Sequence, residues 1–201
     1  MRLPGKLTLV LALLSLSLAV GCSGTPPTRS YVLDSVAVEP LEEGAPAEPI
    51  SVSVGPVSIP GYLDRPEMVT RQSDTQLQIA QSDRWAESLD SGVARVLAQN
   101  LNPLLGDGKV SVFRWSGGQL ADYRVAVDVL RMDGRLGADL VLEAQWRINS
   151  DRQDLAPVSN AAGITVPVEG ERYEAFAAAA SQALGKLSRL IAADLQQVVK
   201  E

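Results

Sequence analysis

Between Ile50 and Val54 apolar residues alternate with serines, the period of a strand that buries one face. Gly55-Pro56 follows at once and marks a bulge or an edge, because proline cannot donate to a sheet ladder. Met68 to Gln72 and Thr75 to Gln81 read as two short strands folded about Ser73-Asp74. A loop carrying Tyr62-Leu63-Asp64-Arg65-Pro66 precedes them. The period then lengthens. From Asp83, a residue suited to an N-cap, Trp85, Leu89, Val93, Val96, Leu97 and Leu101 fall on one helical face, and Asn102-Pro103 with Gly106 close the helix. Val110, Val112 and Phe113 start another strand, so a helix between strands predicts a βαβ crossover.

Two longer strands follow, Tyr123 to Leu130 and Ala138 to Ile148, around a turn containing Asp133-Gly134 and Gly137. Val125, Val127 and Val129 alternate in the first; Leu140, Leu142, Ala144, Trp146 and Ile148 alternate in the second. A strand from Ile164 to Val168 leads through Glu169-Gly170 into a last helix, Arg172 to Val199. Its apolar stripe is Tyr173, Phe176, Ala180, Leu184, Leu187, Ile191, Leu195 and Val198. Ala177 to Ala180 would let this helix approach the sheet or a second copy closely. Ser30 to Asp34 adds a strand near the start, and 37–49, acidic and proline-bearing without periodicity, reads as a flexible loop. The sum is an α/β (α+β) two-layer sandwich, a mixed sheet of about seven or eight strands packed by two long amphipathic helices, with residues 30–201 as one domain.

The first 21 residues have another character. Arg2 and Lys6 precede the apolar run Leu7 to Val20, and small residues lead into Cys22. That run is 14 residues long, the length of an export-signal core; a membrane-spanning helix needs about 20. Ala19-Val20-Gly21-Cys22 resembles the lipobox of bacterial lipoproteins, in which the peptidase cuts before the cysteine and the sulfur carries lipid. Cys22 is the sole cysteine, so no internal disulfide forms. Residues 22–29 then form a tether of at most about 25 Å that keeps the domain near its membrane. Ser23, where an aspartate typically retains such proteins in the inner membrane, implies transfer to the outer membrane. No cofactor is expected beyond the lipid on Cys22.

Loss of the signal removes two positive charges and no negative ones, so the formal charge of −6 becomes −8, which disfavours nucleic acid as a partner. The chain has no histidine, which excludes Ser-His-Asp, Cys-His and H-E-x-x-H chemistry. Gly108-Lys109 has Pro103 where a phosphate loop needs glycine. Glu42-Glu43 and Glu169 with Glu171 read better as solvated charge or helix N-terminal stabilisation than as an acid/base pair. Tyr62, Leu63, Asp64 and Arg65 are candidate partner-binding residues, with a surface turn and ion pair as the alternative; an aromatic in such a loop is expected to be exposed.

Ser30-Tyr31-Val32-Leu33, Ile59 to Pro66 with Val69-Thr70-Arg71, Arg84-Trp85-Ala86-Glu87, Asp122-Tyr123, Leu142 to Arg147 and Ser181 to Ile191 together resemble the PqiC-type, or ABC-type transport auxiliary, lipoproteins. The resemblance covers nearly the whole mature chain, and Pro60 to Pro66 is its most specific part. It implies a fold similar to the small N-terminal domain of the Tol-Pal periplasmic protein. It also implies a non-enzymatic subunit of an intermembrane phospholipid transport system, working with a mammalian-cell-entry (MCE) domain protein and an inner-membrane permease and supporting envelope integrity. A lipid-binding carrier, and an auxiliary subunit of an ATP-driven transporter, remain as alternatives. Homo-oligomerisation is open.

Overall fold

The structure, a computed structural model, describes residues 27–38, 41, 48–106, 108–113, 121–150 and 156–200. The expected export signal, Cys22, most of the expected tether and most of the loop expected over 37–49 lie outside the described residues.

Eight strands and two helices are present among the described residues, as the periodicities predict, but the strands form two sheets rather than one. The larger sheet contains β2 (Ser51–Ser58), β5 (Lys109–Val112), β6 (Tyr123–Gly134), β7 (Asp139–Ser150) and β8 (Val158–Pro167), in the order β5-β2-β6-β7-β8. Its β5-β2-β6 part is parallel and its β6-β7-β8 part antiparallel. The smaller sheet joins β1 (Arg29–Tyr31), β4 (Leu77–Trp85) and β3 (Glu67–Arg71) in the order β1-β4-β3. The hairpin β3-β4 is inserted between β2 and helix α1 (Leu89–Leu104), so the expected crossover joins parallel β2 and β5 with a small sheet budded from its loop.

Helices α1 and α2 (Tyr173–Lys200) cover one face of the larger sheet. Val52, Val54, Val125, Leu140, Leu142, Leu97, Leu101, Leu184 and Leu187 meet there with no exposed surface, the contiguous core that two facing apolar layers produce. Of the stripe expected on the last helix, Phe176, Ala180, Leu184, Leu187, Ile191, Leu195 and Val198 are buried and Tyr173, at its first residue, is half-buried against the core. Of the four alanines, Ala177, Ala179 and Ala180 are buried in the chain's own packing and Ala178 is exposed.

The first helix begins later than expected. Its N-cap is Ser88, and Asp83 and Trp85 belong to β4, where they pair with Arg29 and Tyr31 of β1. Trp85 lies four residues before Leu89, so its place on the helical face was accidental; the alternation of buried Asp83, exposed Arg84 and buried Trp85 is that of a strand. Pro103 sits inside the last turn rather than ending the helix, which stops at Gly106 with a positive φ of 65°. Gly55-Pro56 does mark a bulge, for the β2–β6 register shifts between Val54 and Val57, but in an interior strand.

Candidate functional site

The loop before β3 is held by its own backbone and by two side chains turned inward. Leu63 N donates to Pro60 O and Arg65 N to Leu63 O, both at 2.8 Å, and Trp85 N donates to Pro66 O at 2.7 Å. Leu63 is buried in the core. Tyr62 is half-buried rather than exposed, a correction to the sequence expectation, because its hydroxyl donates to Asp133 Oδ2 at 2.8 Å. Arg65 Nε is buried and has no hydrogen-bond partner among the described residues. Asp64 is the exposed side chain among the four.

Asp133 reaches this loop because of a bulge. The β6–β7 register shifts by one residue between Val129 and Arg131, with Leu130 as the extra residue. Before it Val125, Val127 and Val129 face the helices; after it Met132 does, which turns Arg131 and Asp133 to the opposite face. There Arg71 of β3 donates Nε to Asp133 Oδ1 at 2.6 Å and Nη2 to Oδ2 at 2.7 Å, and Arg131 Nε donates to Oδ1 at 2.9 Å. The Asp133 side chain is 0% exposed. Burial opposes its charge, but the bonds from Arg71, Tyr62 and Arg131 outweigh that cost and hold its carboxyl below the ordinary value. Burial and the bonded carboxylate push the Tyr62 hydroxyl up to about 12, and Arg71 is held more firmly protonated by its bonds to Asp133. The arrangement is a clamp that pins loop 60–66 and the smaller sheet to the end of β6. Its groups are saturated with one another, so the chemistry it offers is rigidity.

A second clamp fixes the entry of the chain. Arg29 donates Nε and Nη2 to the two oxygens of Asp83 at 2.8 and 3.0 Å, and Tyr31 donates its hydroxyl to Oδ1 at 2.9 Å. Burial works against the Asp83 charge and these bonds reverse it, so its carboxyl too titrates below the ordinary value. Beyond β1 the chain crosses the helices as a strap. Asp34 N donates to Ser181 Oγ, Val36 N to Asn100 Oδ1, and Arg95 Nη2 to Leu33 O. Among the described residues no helix is long and apolar enough to cross a membrane. Glu169 and Glu171 are exposed, and Glu42-Glu43 and Cys22 lie outside the described residues. Asp133, Arg131 and Asp83 went unrecognised in the sequence. For Asp133 the one available signal was an acid at a position where unbroken alternation from Val125, Val127 and Val129 would point it into the apolar core, which a bulge at Leu130 avoids.

The architecture is a mixed sheet with helices on one face and a small clamped sheet at its end, entered through a short N-terminal lead. A family model described as ABC-type transport auxiliary lipoprotein component matches residues 31–192, and the chain belongs to that family. It is similar to the intermembrane transport lipoprotein PqiC of Escherichia coli (strain K12), with 26% identity over 133 residues, 66% of this chain and 70% of the relative. The protein of the same description from Shigella flexneri matches to the same extent. Among solved structures, protein XCC0632 from Xanthomonas campestris shares the fold with a TM-score of 0.70 at 20% identity, over 86% of this chain and 97% of that one. An uncharacterised protein shares it with a TM-score of 0.67 at 22% identity, over 84% and 99%.

Proposed function

We propose that this chain is a non-catalytic subunit of an intermembrane phospholipid transport system. It is anchored by lipid on Cys22 at the periplasmic face of the outer membrane, and it docks an MCE-domain protein whose system also has an inner-membrane permease. Family membership and the likeness to intermembrane transport lipoproteins support the transport setting. Ser23 after the cysteine supports the outer membrane as destination. The observation that favours docking over carriage of an acyl chain is the filled layer between sheet and helices. The residues that would have to line a lipid cavity, among them Val52, Val125, Leu142, Leu184 and Leu187, are packed to 0% exposure against one another. In this reading the Asp133 clamp holds loop 62–65 in one shape, and Asp64 is the side chain it presents.

The test places a photoreactive residue at position 64 of the intact lipidated chain and identifies crosslinked products by mass spectrometry. An MCE-domain protein is the expected product; phospholipid alone would replace docking by carriage. Membrane fractionation of Cys22→Ala should show loss from the outer-membrane fraction, and retention there would remove the lipid anchor from the reading.

A further inference from the structure

Strand direction gives the domain two unlike ends. Strands β2, β5, β6 and β8 run one way and β7 the other, so β2, β6 and β8 finish at the same end of the larger sheet. Helix α1 closes beside the start of β5, where Lys109 pairs with Ser51, and its 16 residues reach back about 24 Å to the end where β2 finishes. Helix α2 leaves β8 at that end and returns along it, with Lys186 Nζ donating to Thr165 O and Asn160 Nδ2 to Asp194 Oδ2. Loop 60–66 follows β2 there, and the turn between β6 and β7 meets the start of α2, where Gly137 N donates to Gly170 O at 2.8 Å. The smaller sheet lies across this end, since Arg71 reaches Asp133 at the finish of β6 and Trp85 leads into α1. Asn102 and Lys109 mark the other end.

The chain enters at the end that carries the smaller sheet. Arg29 and Tyr31 are fastened to Asp83, and Ala86 N donates to Tyr31 O at 2.8 Å just before α1. From Cys22 to the clamped Arg29 the chain spans at most about 25 Å, whereas α2 with its 28 residues carries the fold about 42 Å further. Among the described residues five large apolar side chains are exposed, and three belong to segments that build this end: Val32 after β1, Ile79 in β4 and Leu130 at the bulge of β6. Arg135 and Arg172 on its connections are more than half exposed, and such side chains lay an apolar stem on a lipid surface while the head reaches phosphate. The chain as a whole is acidic, so charge does not draw it to an anionic surface. A lipid anchor would supply the affinity, and these side chains the orientation.

We infer that the end of the domain carrying the smaller sheet and loop 60–66 rests on the phospholipid headgroups of the membrane that holds Cys22, with the opposite end of the sheet and helices directed away from it. The occupant of this surface is lipid because the chain leading to the anchor is short and joins the fold here, beside Val32. The inference rests on the proposed function for the lipid on Cys22, and it deepens the docking reading. Loop 62–65 lies at the same end, so a partner docked on Asp64 is brought to the headgroups rather than held away from them.

The test uses the full lipidated chain. Cys22 is the sole cysteine and its sulfur is taken by lipid, so Val32→Cys, Ile79→Cys, Arg135→Cys, Asn102→Cys and Lys109→Cys each accept a single fluorophore. All of these positions are exposed, and an unchanged Tm checks that each variant keeps its fold. The labelled chains are reconstituted in vesicles of phosphatidylethanolamine and phosphatidylglycerol in which part of the lipid carries a nitroxide quencher on its headgroup. Fluorescence should be lost at positions 32, 79 and 135 and retained at 102 and 109. Equal loss at both ends, loss at 102 and 109 alone, or no loss anywhere in chains that float with the vesicles would overturn the inference and leave the anchor standing. A lipidation-competent chain that fails to float, as the Cys22→Ala chain should, would remove the anchor and the inference with it.

Discussion

Replacing Asp133 by asparagine keeps the shape of the side chain and removes the charge shared by Arg71 and Arg131. Two guanidinium groups would then lie against a neutral amide, and breaking a buried pair in this way costs about 3–5 kcal/mol; denaturant unfolding of the variant measures it. Tyr62→Phe removes one bond to a buried charge and should cost about 1.5–3 kcal/mol by the same measurement. The pH dependence has two limbs. Because the Asp133 carboxyl is held below its ordinary 3.8, its contribution is complete above that value and is lost as pH falls through the lower folded one. Because Tyr62 is raised to about 12, its contribution is complete below 10 and is lost as pH rises through 12. Thermal unfolding should therefore show an acid limb that Asp133→Asn flattens and an alkaline limb that Tyr62→Phe flattens. Of this cluster, Tyr62 was visible in the sequence as an aromatic after Pro60-Gly61, but its partner was not. Asp133-Gly134 has the composition of a turn, and only the extra residue Leu130 turns that aspartate toward the loop.

At the scale of elements, local period was reliable wherever one period ran unbroken. The last helix appears with its stripe where the spacing put it, and β7 with its alternating apolar face. The errors fell where two periods overlap: Trp85 fits both a strand ending at it and a helix starting near it, and its pairing with Tyr31, in a strand 54 residues earlier, decides between them. Gly185 makes a test of the strap. A glycine replaced by alanine inside a helix ordinarily gains about 1 kcal/mol. Here a Cβ would run into the Val36 side chain, so Gly185→Ala should lose that gain and loosen the strap. Hydrogen exchange should then show faster exchange at Asp34 and Val36, whose amides bond to Ser181 and Asn100, with the helix amides unchanged. A fully stabilised variant with a protected strap would mean that Val36 yields without cost.

For the whole molecule, the two clamps and the strap act between parts remote in sequence. The Asp83 clamp ties the N-terminal lead to the domain, so Asp83→Ala should unpair β1 and raise proteolysis near Arg29 before global unfolding, read by limited digestion. The sequence by itself determined the number of strands and helices, the apolar faces they bury and the absence of histidine chemistry. Each follows from residues close together in the chain, where side-chain period and the presence or absence of a residue type act locally. Tertiary structure alone decided that the strands form two sheets, that Tyr62 faces a buried carboxylate, and that Ala177, Ala179 and Ala180 of α2 serve internal packing while Ala178 stays exposed. Those outcomes depend on register and on pairing between distant segments, and a single bulged residue reverses which face a side chain takes.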